Sequence, residues 1–384
     1  MAQKTKLTFV GDIMCEKENL EPLKDHIFPD IFSYVSINSD YLIGNLETPI
    51  AGESHVYTNH KWSFNTPDSF LDCLKSLGFN LLSTANNHCL DRGREGLKVT
   101  LDTLDSYKLK HTGTYKNKKD SRKIFIDEIN GIKIAFLSYT YGTNASFNNN
   151  YLRKDRKEMY MVNLFQEQEG ALITKHPYLF CRLWNRGKKK IRKLLHLETN
   201  TFYRKIDKQI KIATKKADFV VFLLHSGGQY NKQTDQFTIS FIDYLNSKGV
   251  DLIVTTHPHM IQGAKKFPNG SFATYSLGDF YGHPLSESRM CNPDGKLGDS
   301  EYSIMLHVDI EKNNGTRISK ISFEIYKITL INGIAYPVSL FELIQQEDNE
   351  IVKNKLLQDN AILVGRFLNK PASEIELSKI YFFK

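Results

Sequence analysis

The sequence predicts an α/β protein with a mixed sheet system, and three observations carry that prediction. Short apolar runs alternate with helix-compatible stretches through the first third of the chain. Each run ends in a polar cluster. One pair of runs is joined by Asn130-Gly131, the dipeptide of tight hairpins.

Residues 7–10 form a short strand ending at Gly11 and Asp12, and residues 41–44 a second one ending at Asn45. Residues 67–77 read as a helix. Pro67 and Asp68 suit a first turn, Phe70, Leu71, Leu74 and Leu77 make one apolar stripe, and Gly78 stops it. Residues 81–84 are a third strand, running into Asn86, Asn87 and His88. Residues 92–107 return to helical spacing, with Leu97, Leu101 and Leu104 on one side. The hairpin of residues 123–129 and 132–139 follows and makes the sheet system mixed rather than purely parallel.

Residues 143–215 interrupt this rhythm. They open with an Asn-rich patch at 144–150 and continue as a basic, helix-compatible region. Arg182, Arg186, Lys188, Lys189, Lys190, Arg192 and Lys193 place seven basic residues in twelve positions. The expectation is an insertion lying outside the core and covering part of the site. Such a cluster serves equally as a solvated helix face or as a grip on a polyanion or phosphorylated head group. Arg186, Lys188 and Lys190 are the candidate substrate-binding residues.

The core pattern resumes at 219–224, which ends at His225; a helix over about 234–246 follows. Residues 250–255 are a strand ending near His257 and His259, and residues 271–277 a strand running into Gly278 and Asp279. Two more strands, 302–310 and 318–328, precede a partly helical tail, so that residues 1–330 form the main domain and 331–384 an extension packed on it.

The composition is ordinary for a globular chain: of 384 residues, 41% are hydrophobic and 24% charged, which excludes disordered and fibrous classes. The net charge of +8 permits an anionic ligand without singling out nucleic acid. No aromatic–basic interleaving surrounds Lys188, so no nucleic-acid partner is expected. Five cysteines, none at metal-site or redox spacing, fit reducing surroundings. No secretory leader and no run near the roughly 20 apolar residues of a membrane span are visible. A cytoplasmic protein is expected from the chain as it stands, or one on the extracellular face if an anchor preceded it.

The chemistry gathers at the strand ends: Asp12, Asn45, Glu47, Asn87, His88, His225, His257 and His259. Singly, Glu47 reads equally as a loop acid, and His225 as a core histidine or a helix cap. The shared context, a polar group just after a buried strand, is what raises the set. Carboxylate, amide and imidazole donors together suit zinc, manganese or iron, and this number of them suits one ion or two.

The motifs Gly11-Asp12-Ile13-Met14, Gly44-Asn45-Leu46-Glu47-Thr48-Pro49 and Ala85-Asn86-Asn87-His88, with Asp91 and Gly93, resemble the CapA family of capsule and poly-gamma-glutamate synthesis proteins. So do Leu224-His225-Ser226-Gly227, Thr256-His257-Pro258-His259-Met260-Ile261-Gln262 and Tyr275-Ser276-Leu277-Gly278-Asp279-Phe280. The family is related to calcineurin-like metallophosphoesterases. The resemblance implies a four-layer α/β/β/α sandwich with a metal site at one sheet edge. By this resemblance Asp12, Glu47, Asn87, His225, His257 and His259 are metal ligands, for manganese or zinc, one or two per chain. His88 and Asp12 are the catalytic candidates, His88 donating a proton to a leaving group or steadying a phosphoryl oxygen. Met14 stands where the phosphoesterases have a ligand histidine, which weakens one of two ion positions. Asp279 stands where relatives often have Asn. The implied function is capsule or poly-gamma-glutamate synthesis, with hydrolysis of a phosphoester or amide of an anionic envelope polymer. The alternative is a non-catalytic polymer-binding or assembly factor. Expected partners are an anionic polymer or phosphorylated envelope precursor, and capsule-synthesis proteins.

Overall fold

The computed structural model describes residues 2–60, 62–152, 157–168, 201–286 and 299–383. The strands are β1 (Gln3–Ile13), β2 (Tyr41–Leu46), β3 (Phe79–Ser83), β4 (Lys110–Thr112), β5 (Phe125–Ile129), β6 (Ile132–Thr140), β7 (Phe219–His225) and β8 (Leu252–Thr256). They continue as β9 (Ala264–Lys266), β10 (Phe272–Thr274), β11 (Asp279–Tyr281), β12 (Tyr302–Lys312), β13 (Thr316–Ile331), β14 (Ile334–Ser339) and β15 (Tyr381–Phe382). One mixed sheet runs in the order β14-β13-β12-β1-β2-β3-β4, with β11 also paired to β1 and β15 to β13. The other runs β5-β6-β7-β8-β10-β9.

Side-chain alternation explains the layering. On β7, Phe219, Val221 and Leu223 face the core between the sheets, where they join Leu7 and Phe9 of β1 and Leu81 of β3. Val220, Phe222 and Leu224 face the other way and pack with Ile206, Ile210, Phe241, Ile242 and Leu245. These belong to helices Thr201–Lys216 and Gln236–Ser247. A strand buried on both faces reads as a continuous apolar run, as this one does. Helices Ser69–Leu77 and Gly93–Ser106 cover the first sheet through Phe70, Leu71, Leu74, Leu97, Leu101 and Leu104. The result is the helix–sheet–sheet–helix sandwich that the resemblance implied.

Local signals settle where elements end. Gly78 adopts φ +93° after helix Ser69–Leu77, and its N–H donates to the carbonyls of Leu74 and Lys75. A left-handed glycine of this kind satisfies the last carbonyls of a helix. Asn130 and Gly131 have φ +51° and +80°, and Ile129 pairs with Ile132 across them. Two positive φ values are what a two-residue type I′ hairpin requires.

One expectation changes. The predicted strand over 271–277 is shorter: β10 ends at Thr274 and stays in the second sheet. The chain then turns at Gly278, φ +76°, and β11 joins the first sheet beside β1. Parts of the stretch expected to be an insertion, 143–215, pack on the core. Helix Thr201–Lys216 is an outer layer of the sandwich, because Ile206, Ile210 and Ala213 supply an apolar face to β6 and β7. Val162 and Leu164 form bridges with Thr114 and Thr140, and Phe165 is buried among the outer aromatic residues. The basic cluster with Arg186, Lys188 and Lys190 lies outside the described residues. In the tail, helices Leu340–Gln346 and Glu350–Leu368 send Leu340, Ile344, Leu363, Val364 and Phe367 into the inter-sheet core. No helix among the described residues is long and apolar enough to cross a membrane.

Candidate metal centre

The central strands deliver the polar residues to one place by register. Asp12 on β1 stands opposite Asn45 on β2 and opposite Asp279 on β11. His225 ends β7 opposite Thr256 of β8, and His257 follows at once. All of Asp12, Asn45, Glu47, Asn86, Asn87, His88, His225, His257, His259 and Asp279 are buried. Burying so many polar groups is costly unless each has a partner or a cation.

Some are tied to each other. Asn45 Nδ2 donates to Asp12 Oδ1 at 2.7 Å, lies 3.4 Å from Glu47 Oε2, and lies 3.3 Å from His225 Nδ1. Asn45 therefore holds the carboxylates as a donor. Asn86 Nδ2 in turn donates to Asn45 Oδ1 and to the Leu46 carbonyl. The other oxygen of Asp12 accepts the His257 backbone N–H at 2.9 Å. Asn87 Oδ1 lies 2.6 Å from His225 Nε2. His259 Nδ1 lies 2.8 Å from Asp279 Oδ1 and 3.5 Å from Asp12 Oδ2.

Within the cluster, the buried atoms Glu47 Oε1, His257 Nδ1 and Asp279 Oδ2 make no hydrogen bond. Glu47, His257 and His259 bring three ligand atoms within 4.8 Å of one another. Asp12, Glu47 and His225 form a second such group, and Asp12, His259 and Asp279 a third. Orphaned lone pairs converging from a carboxylate and imidazoles are what a divalent cation satisfies, so the donor set fits an ion. The backbone is strained to achieve this: His257 adopts φ +104° and His259 φ +56°, conformations uncommon outside glycine.

The electrostatics agree. Burial, reinforced by Glu47, pushes Asp12 up to about 8, and burial also raises Glu47. Burial pushes His225 down to about 3 and His257 well below the usual imidazole range, the neighbouring imidazoles adding to it for His257. Burial acts against His259 too, but Asp279, Glu47 and Asp12 outweigh it and raise that imidazole to about 10. Without a cation, carboxylates and imidazoles thus compete for protons; with one, the carboxylates ionise and the ligand imidazoles stay neutral.

His88 stands beside the cluster with a separate partner. Its Nδ1 lies 2.7 Å from Asp91 Oδ2, and its ring stacks on Phe64 at 4.2 Å between centroids. Burial lowers its pKa, yet Asp91 and Glu47 more than compensate and the net shift is upward. The Asn-rich patch packs onto this loop: Asn144 Nδ2 is 3.5 Å from His88 Nε2, Asn148 Nδ2 donates to Asp91 Oδ1, and Asn150 Nδ2 donates to the Leu90 carbonyl. Tyr141 lies 4.6 Å from the His257 ring and Tyr230 5.6 Å from that of His259. The flank that the described residues give these imidazoles is aromatic.

Sequence reasoning missed Asp279 as a member of the cluster. Its signal was present: Gly278-Asp279 repeats Gly11-Asp12, and the two pairs lie side by side. Asp91 was visible within its motif, but its role as the partner of His88 was not.

A family described as Bacterial capsule synthesis protein PGA_cap matches residues 6–283. The capsule biosynthesis protein CapA of Bacillus anthracis is 26% identical over 285 residues, covering 72% of this chain and 60% of its own length. The PGA biosynthesis protein CapA of Bacillus subtilis (strain 168) is 26% identical over 278 residues, covering 71% of this chain and 62% of its own. The chain thus spans less than two thirds of the length of these curated relatives.

Proposed function

This chain belongs to the bacterial capsule synthesis protein family PGA_cap, and we propose that it acts there as a metal-dependent hydrolase on a phosphoester or amide bond of an anionic envelope polymer such as poly-gamma-glutamate. The observation that carries the reading is that Glu47 and His257, whose buried Oε1 and Nδ1 make no hydrogen bond, belong to overlapping groups of ligand residues. Asp12, Glu47, Asn87, His225, His257 and His259 would hold one or two manganese or zinc ions. A bound divalent ion supplies Lewis acidity and a nucleophile at neutral pH. Asn45 keeps Asp12 and Glu47 together through its amide N–H groups. Asp91 accepts from His88 Nδ1 and favours its protonated form, which leaves Nε2 able to hand a proton to a leaving group. Phe64 and the Asn-rich patch keep that imidazole in place. Arg186, Lys188 and Lys190 are proposed to draw in the polyanion.

Met14, in place of a histidine ligand, favours a second reading, a polymer-binding or assembly factor that retains the ion site without turnover. Elemental analysis of the purified chain, with hydrolysis assays on aryl phosphodiesters and on γ-glutamyl oligomers, separates the two. Bound ion with turnover supports the hydrolase. Bound ion with polymer binding and no turnover supports the assembly factor. Absence of any ion after manganese and zinc addition removes the metal reading.

A further inference from the structure

We propose that Asp279 is a positioning residue: it fixes the tautomer and ring orientation of His259 so that Nε2 is presented to the ion shared with Glu47 and His257. The inference rests on the metal reading above and adds a residue to it. A neutral imidazole carries one N–H and one lone pair, and whichever nitrogen is held by a carboxylate decides where the lone pair points. His259 Nδ1 lies 2.8 Å from Asp279 Oδ1, a hydrogen-bond distance. The competing carboxylate oxygen, Asp12 Oδ2, is farther at 3.5 Å and already accepts the His257 N–H at 2.9 Å. Nδ1–H therefore goes to Asp279. The lone pair then sits on Nε2, which lies 4.0 Å from Glu47 Oε1, the oxygen with no hydrogen bond. The same ring cannot give both lone pairs, so Asp279 decides between two of the overlapping ligand groups.

The fold holds Asp279 in this role rigidly. Asp12 N–H donates to the Gly278 carbonyl at 3.0 Å, and Met14 N–H to that of Tyr281 at 3.0 Å, which brackets Asp279 between two backbone bonds. Phe280 and Tyr281, which follow Asp279 in β11, are buried at 0% and 1% exposure. His259 itself sits at φ +56°, so its ring direction is not set by relaxed backbone preference and depends on such a partner.

The test compares wild type, Asp279→Leu and Asp279→Asn as full chains stripped of metal. Each is titrated with Mn²⁺ and with Zn²⁺ by calorimetry, ions per chain are counted by elemental analysis, and the His259 tautomer is read by ¹⁵N NMR in the zinc-loaded state. Asp279→Leu is expected to lose about 10- to 100-fold in affinity with the same number of ions, as removal of such outer partners does. Asp279→Asn, whose amide oxygen still accepts from Nδ1, recovers most of that loss and keeps the Nδ1–H tautomer. Unchanged affinity in Asp279→Leu, with only the unfolding temperature lowered, overturns the assignment by making Asp279 merely structural. Loss of one ion per chain in both variants overturns it by making Asp279 a direct ligand. A wild-type chain that binds no ion overturns the underlying metal reading as well, so the two failures are told apart.

Discussion

Gly11→Ala is a small change with a large expected effect. A Cβ on Gly11 would lie 1.9 Å from the Gly278 carbonyl oxygen and 2.8 Å from its carbon. An ordinary carbon–oxygen contact needs more than an ångström of extra room there. The Gly278 segment cannot retreat, since a Cβ on that residue would itself meet the Tyr302 carbonyl at 2.3 Å, and the Ile304 N–H holds Leu277 at 2.8 Å. Strands β1 and β11 must therefore part, breaking the 3.0 Å bond from Asp12 N–H to Gly278. Overpacking of this kind costs about 1–3 kcal/mol and a lost buried backbone bond about 1 kcal/mol more. With an unfolding entropy of roughly 2.1 cal/mol/K per residue, a total near 3 kcal/mol lowers the unfolding temperature of a chain this long by about 4 °C. The same displacement carries Asp279 away from His259, so metal affinity should fall by at least about 10-fold. Differential scanning calorimetry and metal titration read the two effects. A Gly11→Ala chain that melts within about 1 °C of wild type and binds Mn²⁺ as tightly would refute the reasoning about the interlocked glycines.

Other outcomes follow from the same geometry. If His257 is a ligand as proposed, His257→Ala should lose on the order of 100-fold or more in Zn²⁺ affinity, more than removal of an outer partner, and calorimetric titration measures this. His88→Ala should keep its ions by elemental analysis and, if the chain hydrolyses polymer, lose on the order of 10²- to 10⁴-fold in turnover. Lys205 is half-buried with an amide partner, Asn163 Oδ1 at 2.8 Å, and desolvation pushes its pKa down to about 8 from 10.5. Its charge therefore costs stability at neutral pH, and the cost is relieved as pH rises from about 8 to 10.5. Lys205→Met should accordingly be more stable than wild type at pH 7 by up to roughly 3 kcal/mol, with the difference gone by about pH 11 in denaturant melts. Replacing Arg186, Lys188 and Lys190 together by Gln should weaken binding of poly-gamma-glutamate at low salt, with little change at high salt where the charges are screened.

Much of this was legible in the sequence because burial writes itself in simple periods. The run 219–224 is continuous because both faces of β7 are covered, and Gly78 marks a helix end because only a left-handed residue closes it. Asp12, Glu47, Asn87, His225, His257 and His259 were visible because each follows such a run. What was not legible depends on strand crossing. Nothing local to residues 271–281 says that β10 and β11 belong to different sheets; that follows from Gly278 turning the chain and from the open edge of β1 that receives it. Helix Thr201–Lys216 was taken with the basic stretch before it because it is itself rich in Lys and Arg, while the apolar part of its buried face is Ile206, Ile210 and Ala213.

The crossing of β11 also bears on the missing histidine at Met14. Because the chain changes sheets at Gly278, β1 has strand neighbours on both sides at its carboxyl end, β2 with Asn45 and β11 with Asp279. Asp12 is thereby flanked by one amide and one carboxylate, both fixed by backbone register rather than by loop conformation. A histidine after Asp12 would have contributed from β1 itself. Here a carboxylate on the neighbouring strand accepts from His259 Nδ1 and acts on that ring from behind. The centre's geometry is thus a property of the sheet, and damage to the β1–β11 pairing should appear in ion affinity before it appears in the melting of the sandwich as a whole.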